Sequence, residues 1–184
     1  MSVYASKRSE SKAEFIRVAQ ELATYTLEQV KKFPKSYRFC LTNDIVRLAM
    51  EIHEDVLRGN SIYLHSNMLE SEFNLREEYF TKARSAIFAL SSLLTVTFSL
   101  VLKGNNFLGD KKRTSNIFKE WARLLNFEAA LVKGIIESDK KRYKRYQSQK
   151  SSKKKTMTKT DDETDAKDER EVVLPEETFD IEES

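Results

Sequence analysis

Glycine and proline are scarce, with four of the first and two of the second among 184 residues. Strands joined by tight turns need both, so the shortage excludes a β-rich fold and leaves long helices as the way to organise the chain. Cysteine is nearly absent as well. The single Cys40 excludes an intrachain disulfide framework, and no Cys-x-x-Cys or Cys/His metal spacing occurs; both fit a reducing, cytoplasmic compartment. Only two histidines are present, His53 beside Glu51, Glu54 and Asp55, and His65 in an expected loop. The Glu-x-x-His pairs of a carboxylate-bridged metal bundle, glycine-rich phosphate loops and nucleophile motifs are missing. The expectation is therefore no enzyme activity, no catalytic residue, no metal and no cofactor. Met1 to Glu14 contains no apolar core of a secretory signal.

What is abundant is charge in blocks and one long apolar run. The net charge of +3 conceals three unlike parts: residues 1–138 carry 20 Lys/Arg against 16 Asp/Glu, residues 139–160 carry 10 against 1, and residues 161–184 carry 2 against 12. Blocks of like charge with little apolar content cannot offset the entropy of ordering. The chain is accordingly expected to comprise a flexible arm at 1–8, a bundle at 9–146 and a disordered basic-then-acidic tail at 147–184, the acidic part of which could fold back over basic surface.

From Ser85 to Leu102 there are eighteen residues without a charge. As helix this run is about 27 Å long, where a membrane span and a buried bundle helix compete as readings. Six of its positions are Ser or Thr, and FNLREEYFTKAR continues as helix before it, so the bundle reading is preferred and no membrane is expected. Upstream, Phe15, Val18, Ala19, Leu22, Tyr25, Thr26 and Val30 recur at three and four, opened by a capping-box pair Ser11 and Glu14 and closed near Lys32 by Phe33-Pro34. A second helix presents Phe39, Leu41, Ile45, Leu48, Ala49, Ile52 and Val56 inward, with Thr42 or Asn43 as cap if Lys35 to Leu41 is irregular, and stops at Gly59-Asn60. The third begins between Ser66 and Glu70, runs to Lys103 and is broken by Gly104, Asn105, Asn106 and Gly109. The fourth runs from Lys112 or Ser115 to about Tyr146 with Ile117, Phe118, Trp121, Leu124, Leu125, Leu131, Val132, Ile135 and Ile136 inside. Four such segments with short connections predict an all-α, antiparallel up-down-up-down four-helix bundle.

With the segments in place, SKRSESKAEF, FPKSYRFCLTNDIVRLAMEI, RGNSIY and LREEYFTKARSAIFALSSLL resemble the bacterial four-helix-bundle family of the 23S rRNA intervening-sequence protein and the accessory variability determinant of diversity-generating retroelements. The likeness covers roughly residues 6–137. Phe33, Pro34 and Lys35 with Tyr37, Leu41 and Thr42 resemble both branches, whereas Asn60 to Tyr63 and the series Arg76, Tyr79, Lys82 and Ala83 are closer to the retroelement branch. Cys40 stands where the ribosomal branch often carries Gly, so a different local turn is expected. The resemblance implies a homopentamer with basic surfaces for structured RNA and a partnership with the element's reverse transcriptase, supporting mutagenic reverse transcription.

The residues themselves offer candidates for such contacts. Arg47 and Arg58, eleven residues apart, fall within about 20° of one helical line, with Arg38, nine residues before Arg47, about 180° around from it; Arg38 with Lys12, Arg17, Arg76, Lys82, Arg84, Lys119 and Arg123 could extend that surface. Lys140, Lys141, Arg142, Lys144 and Arg145 interleave with Tyr143 and Tyr146, a pattern suited to phosphates and stacked bases. Ordinary surface ion pairing, for example Glu28 with Lys31 or Lys32 and Glu120 with Arg123, is the competing reading, under which the protein is an interaction scaffold without nucleic-acid affinity. Phe15, Tyr25, Phe80, Phe88, Phe98, Phe118 and Trp121 are assigned to the core. Phe88, Leu93, Val96, Phe98 and Val101 exceed what one inward stripe needs and are expected to serve a subunit interface.

Overall fold

The computed structural model describes residues 4–103 and 107–165, and side chains over 14–103 and 107–151. Among the described residues there are four α-helices and no strand: α1 Tyr4–Val30, α2 Asn43–Ser61, α3 Glu70–Lys103 and α4 Lys111–Asp165. They form the expected antiparallel four-helix bundle. Two units are distinguished, Met1–Lys144 with the bundle core and Arg145–Ser184. In the second, α4 is helical to Asp165 and Ser151 Oγ donates to the Ser148 carbonyl at 2.9 Å. The acidic residues from 166 onward, like Gly104, Asn105 and Asn106, lie outside the described residues.

Helix ends differ from expectation for identifiable reasons. The first helix starts at Tyr4 and takes in most of the expected arm, because nothing in ASKRSE breaks a helix, so the Ser11–Glu14 pair lies inside it. Pro34 turns the chain into a 3₁₀ turn, Lys35–Tyr37, and then a π-helical turn, Arg38–Thr42. This irregular corner sets the start of α2 at Asn43. Gly59 is no stop, since it lies inside α2 against the Phe80 ring, where an added Cβ would meet ring carbons at 3.0 Å. The stop before α4 is Gly109, whose φ of 110° favours glycine. Asp110 caps α4, its carboxylate accepting the Arg113 N–H at 2.6 Å. That helix passes Tyr146 because neither Gly nor Pro occurs between Gly134 and Pro175.

Core formation follows helical spacing. On α1, Phe15, Val18, Ala19, Leu22 and Val30 are buried; Leu41 of the π-helical turn and Ile45, Leu48, Ala49, Ile52 and Val56 of α2 are too, but Phe39 of that turn, expected on the same inner face, is 83% exposed. The buried positions of α3 include Phe73, Arg76, Phe80, Ala83, Ile87, Leu90, Leu94, Thr97 and Val101. Steps of three and four alternate along them, the seam of a coiled-coil-like bundle. By length and composition α3 could cross a membrane, and a third of its most apolar 18-residue window is buried within the bundle.

Polar bonds fix the register of the helices. The Tyr25 hydroxyl donates to the Ile117 carbonyl at 3.1 Å, and Trp121 Nε1 donates to Thr26 Oγ1 at 3.0 Å. Thr26 in turn donates to the Leu22 carbonyl, so this buried hydroxyl is satisfied. Phe33 and Tyr37 meet Phe107 at 5.0 and 5.4 Å, tying the first corner to the segment before α4. Each fully buried large apolar side chain contributes about 1.5–3 kcal/mol against about 0.2–1 for an exposed ion pair. Apolar packing therefore holds the bundle.

Candidate nucleic-acid interface

Most of the cations that spacing assigns to one surface have acids three or four residues away, where helix geometry makes them neighbours. Arg47 lies between Asp44 and Glu51, Arg58 pairs with Glu54 and Asp55, Arg17 with Glu21, and Lys82 with Glu78. Arg123 bridges Glu120 and, across helices, Glu21; Lys140 reaches Glu77 on α3. Hydrogen bonding to Glu51, Glu78 and Glu120 raises the pKa values of Arg47, Lys82 and Arg123 respectively, and the bond from Arg123 lowers that of Glu120. A phosphate must compete with a carboxylate at each of these positions.

Arg76 is no surface contact at all. It is buried, with Nε 2.6 Å from Asp139 Oδ2, Nη1 2.7 Å from the carbonyls of Gly59 and Ile62, and its guanidinium 4.9 Å from the Phe80 ring centre. One planar fork thus fastens the end of α2, the body of α3 and α4, a task suited to arginine. Tyr143 lies flat on Phe73 at 4.1 Å, so that face of its ring is occupied by packing. The Arg84 guanidinium sits 5.8 Å above the Phe88 ring. Lys141, Arg142 and Lys144 are exposed, Arg145 belongs to the second unit, and the Lys12 side chain lies outside the described residues.

A different group of cations is brought together by the topology. In an up-down-up-down bundle the α1–α2 corner and the α3–α4 connection share one end, and the contacts of Phe107 join them here. Lys31, Lys32, Lys35 and Arg38 come from the first, and Lys103, Lys111, Lys112 and Arg113 from the second; all eight are exposed. None forms an ion pair with a described residue. Lys32 donates to Gln29 Oε1 at 2.6 Å, a neutral acceptor. The acids nearby are few: Asp44 pairs with Arg47, Asp110 caps α4, and exposed Glu28, the expected partner of Lys31 or Lys32, forms no ion pair with either. These eight cations therefore put a positive field at this end of the bundle. Of these eight, only Arg38 belongs to the group expected from spacing. The remainder could have been found by asking which connections a four-helix topology places together.

The expected interface residues separate into three kinds. Phe88 and Val96 are 58% and 52% exposed, with Leu100 and Leu102 also open. Leu93 and Phe98 are partly covered, and the Phe98 ring packs at a tilt of 51° against Phe118, centres 4.8 Å apart, beside a groove of about 340 Å³ between α3 and α4. Val101, at 1% exposure, belongs to the monomer's own core because it falls on the inward seam of α3. Phe88, assigned to the core as well, is corrected by the same seam, from which it is one residue removed.

Among the described residues no group of three or more His, Cys, Asp or Glu could hold a metal ion. The most perturbed titratable group is Glu128 on α4, fully buried, with neither carboxylate oxygen hydrogen-bonded. Burial pushes its pKa up to about 8. It shares its helix face with buried Leu124, Leu125 and Val132. No protein-family model, curated protein or solved structure matches the chain.

Proposed function

We propose that this protein is a non-enzymatic, oligomeric accessory factor that binds structured RNA and a reverse transcriptase in support of mutagenic reverse transcription by a diversity-generating retroelement. The sequence likeness over residues 6–137 supports the retroelement and polymerase parts of this reading. The observation that carries RNA binding is the bundle end with eight exposed cations that form no ion pair with a described residue. Phosphates need little more than such a field, and repetition around a ring multiplies it. Self-association, as a pentamer by resemblance, is supported by the uncharged outer face of α3, where Phe88 and Val96 stand open. Cytoplasmic location accords with the lone free Cys40.

A second reading, a protein-interaction scaffold without nucleic-acid affinity, is favoured by the ion pairing of Arg47, Arg58 and Arg123. Gel shifts on a structured RNA at about 50 mM salt separate the two. Changing Lys35, Arg38, Lys112 and Arg113 together to Glu is expected to abolish binding, and Arg47 with Arg58 to Glu to weaken it less. Absence of binding by the unaltered protein would refute the RNA reading. A reverse-transcriptase gene and a template/variable repeat pair adjoining this gene, with copurification of that polymerase, tests the partner.

A further inference from the structure

The cation-rich end of the bundle carries one large exposed ring. Phe39 is 83% exposed, the most open of the large hydrophobic side chains among the described residues, although its expected place is the inner face of the second helix. Two residues from buried Leu41, and so about 200° around a helix from it, Phe39 faces outward within the π-helical turn Arg38–Thr42. Such turns are uncommon and collect at functional sites, since their looser packing costs stability. Leaving a phenyl ring in water also forfeits the burial energy a core position would supply.

Its surroundings distinguish a stacking platform from a protein-docking patch. A docking patch is contiguous apolar surface. Phe39 is instead flanked by Lys35, Ser36, Arg38 and Cys40, all exposed, and neither Lys35 nor Arg38 is ion-paired with a described residue. An isolated aromatic face among unpaired cations is the arrangement by which single strands are held, bases stacking on rings while cations track the backbone. A continuous duplex hides its base faces within its own stack and offers nothing for this ring.

We infer that the α1–α2 corner binds an unpaired RNA segment, with a base stacked on Phe39 and flanking phosphates held by Lys35 and Arg38. The inference rests on the RNA-binding reading and names its site and substrate class. Across the same end, Lys111, Lys112 and Arg113 lie along the path of a longer strand.

The test is fluorescence anisotropy of the full chain with a labelled uridine strand of about 12 nucleotides and a blunt RNA duplex of equal length. The single strand is expected to bind more tightly. Phe39→Ala should lower its affinity about tenfold, with little change for duplex, and Phe39→Tyr should retain binding. Lys35→Gln with Arg38→Gln should flatten the salt dependence by about 1.4 in log–log slope, about 0.7 for each lost single-strand phosphate contact. The Phe39→Trp variant should lose fluorescence on adding the strand, whereas buried Trp121 in the unaltered protein should not. Equal affinity for strand and duplex, or an unchanged Phe39→Ala variant, would overturn the inference and leave RNA binding standing. Failure of the unaltered protein to bind either RNA would overturn both.

Discussion

Replacing Glu128 with Gln changes one atom in the core and removes a charge the core cannot solvate. An ordinary glutamate loses its proton near 4.5, whereas Glu128 keeps it to about 8 in the folded protein. Between these values the unfolded chain binds fewer protons than the folded one, so stability falls as pH rises across the window. Each unit is about 1.36 kcal/mol, giving a loss of about 3 kcal/mol by pH 7 and about 5 once pH exceeds 8. The native state then holds an unpaired carboxylate among Leu124, Leu125 and Val132, or opens to hydrate it. Glutamine cannot ionise and has nearly the same volume, so the difference between variant and parent isolates this effect. Urea unfolding followed by helical circular dichroism at pH 5, 7 and 8.5 is the assay. The variant should gain little at pH 5 and about 3 kcal/mol at pH 7, roughly a 1–2 M rise in midpoint for a slope of about 2 kcal/mol/M. A gap that does not widen with pH would refute the assignment of Glu128 as a buried, unpartnered acid.

Two further outcomes follow from the packing. Arg76→Met should destabilise the bundle by about 3–5 kcal/mol in thermal or chemical melts, because Asp139 and the carbonyls of Gly59 and Ile62 lose their donor together; full retention of stability, or full rescue by Arg76→Lys, would argue against a clamp that uses Nε and Nη1 on three acceptors at once. Phe88→Asp with Val96→Asp should leave helicity intact, since both side chains are open, while lowering the mass seen by light scattering to that of the monomer. An unchanged assembly would exclude the outer face of α3 from the subunit contact.

The inward faces of α1, α2 and α4 were legible because apolar residues at three and four alternate with charge. Val18, Leu22, Ile45, Ile52, Trp121 and Val132 are buried as their spacing predicts. The seam of α3 was not, because from Ser85 to Leu102 no charged residue marks which side meets water. Val101 and Phe88 look equivalent in the sequence, yet one is closed at 1% and the other open at 58%. Arg76 misled for a related reason. A cation between acids reads as surface, and only the return of α4 brings Asp139, sixty-three positions away, to within 2.6 Å.

Sequence alone therefore determined the fold class, the four helices and most of the core, since periodicity, caps and breakers act within a few residues of where they are read. It also exposed Glu120 as the local acid partner of Arg123, a pair fixed by helical spacing. Tertiary structure decided which cations stand unpaired. Lys31 to Arg38 and Lys103 to Arg113 are separated by more than sixty residues, and only the antiparallel return of the helices brings them to one end. It likewise decided the exposure of Phe39, because residues two apart on a helix face away from each other and the burial of Leu41 leaves Phe39 outside.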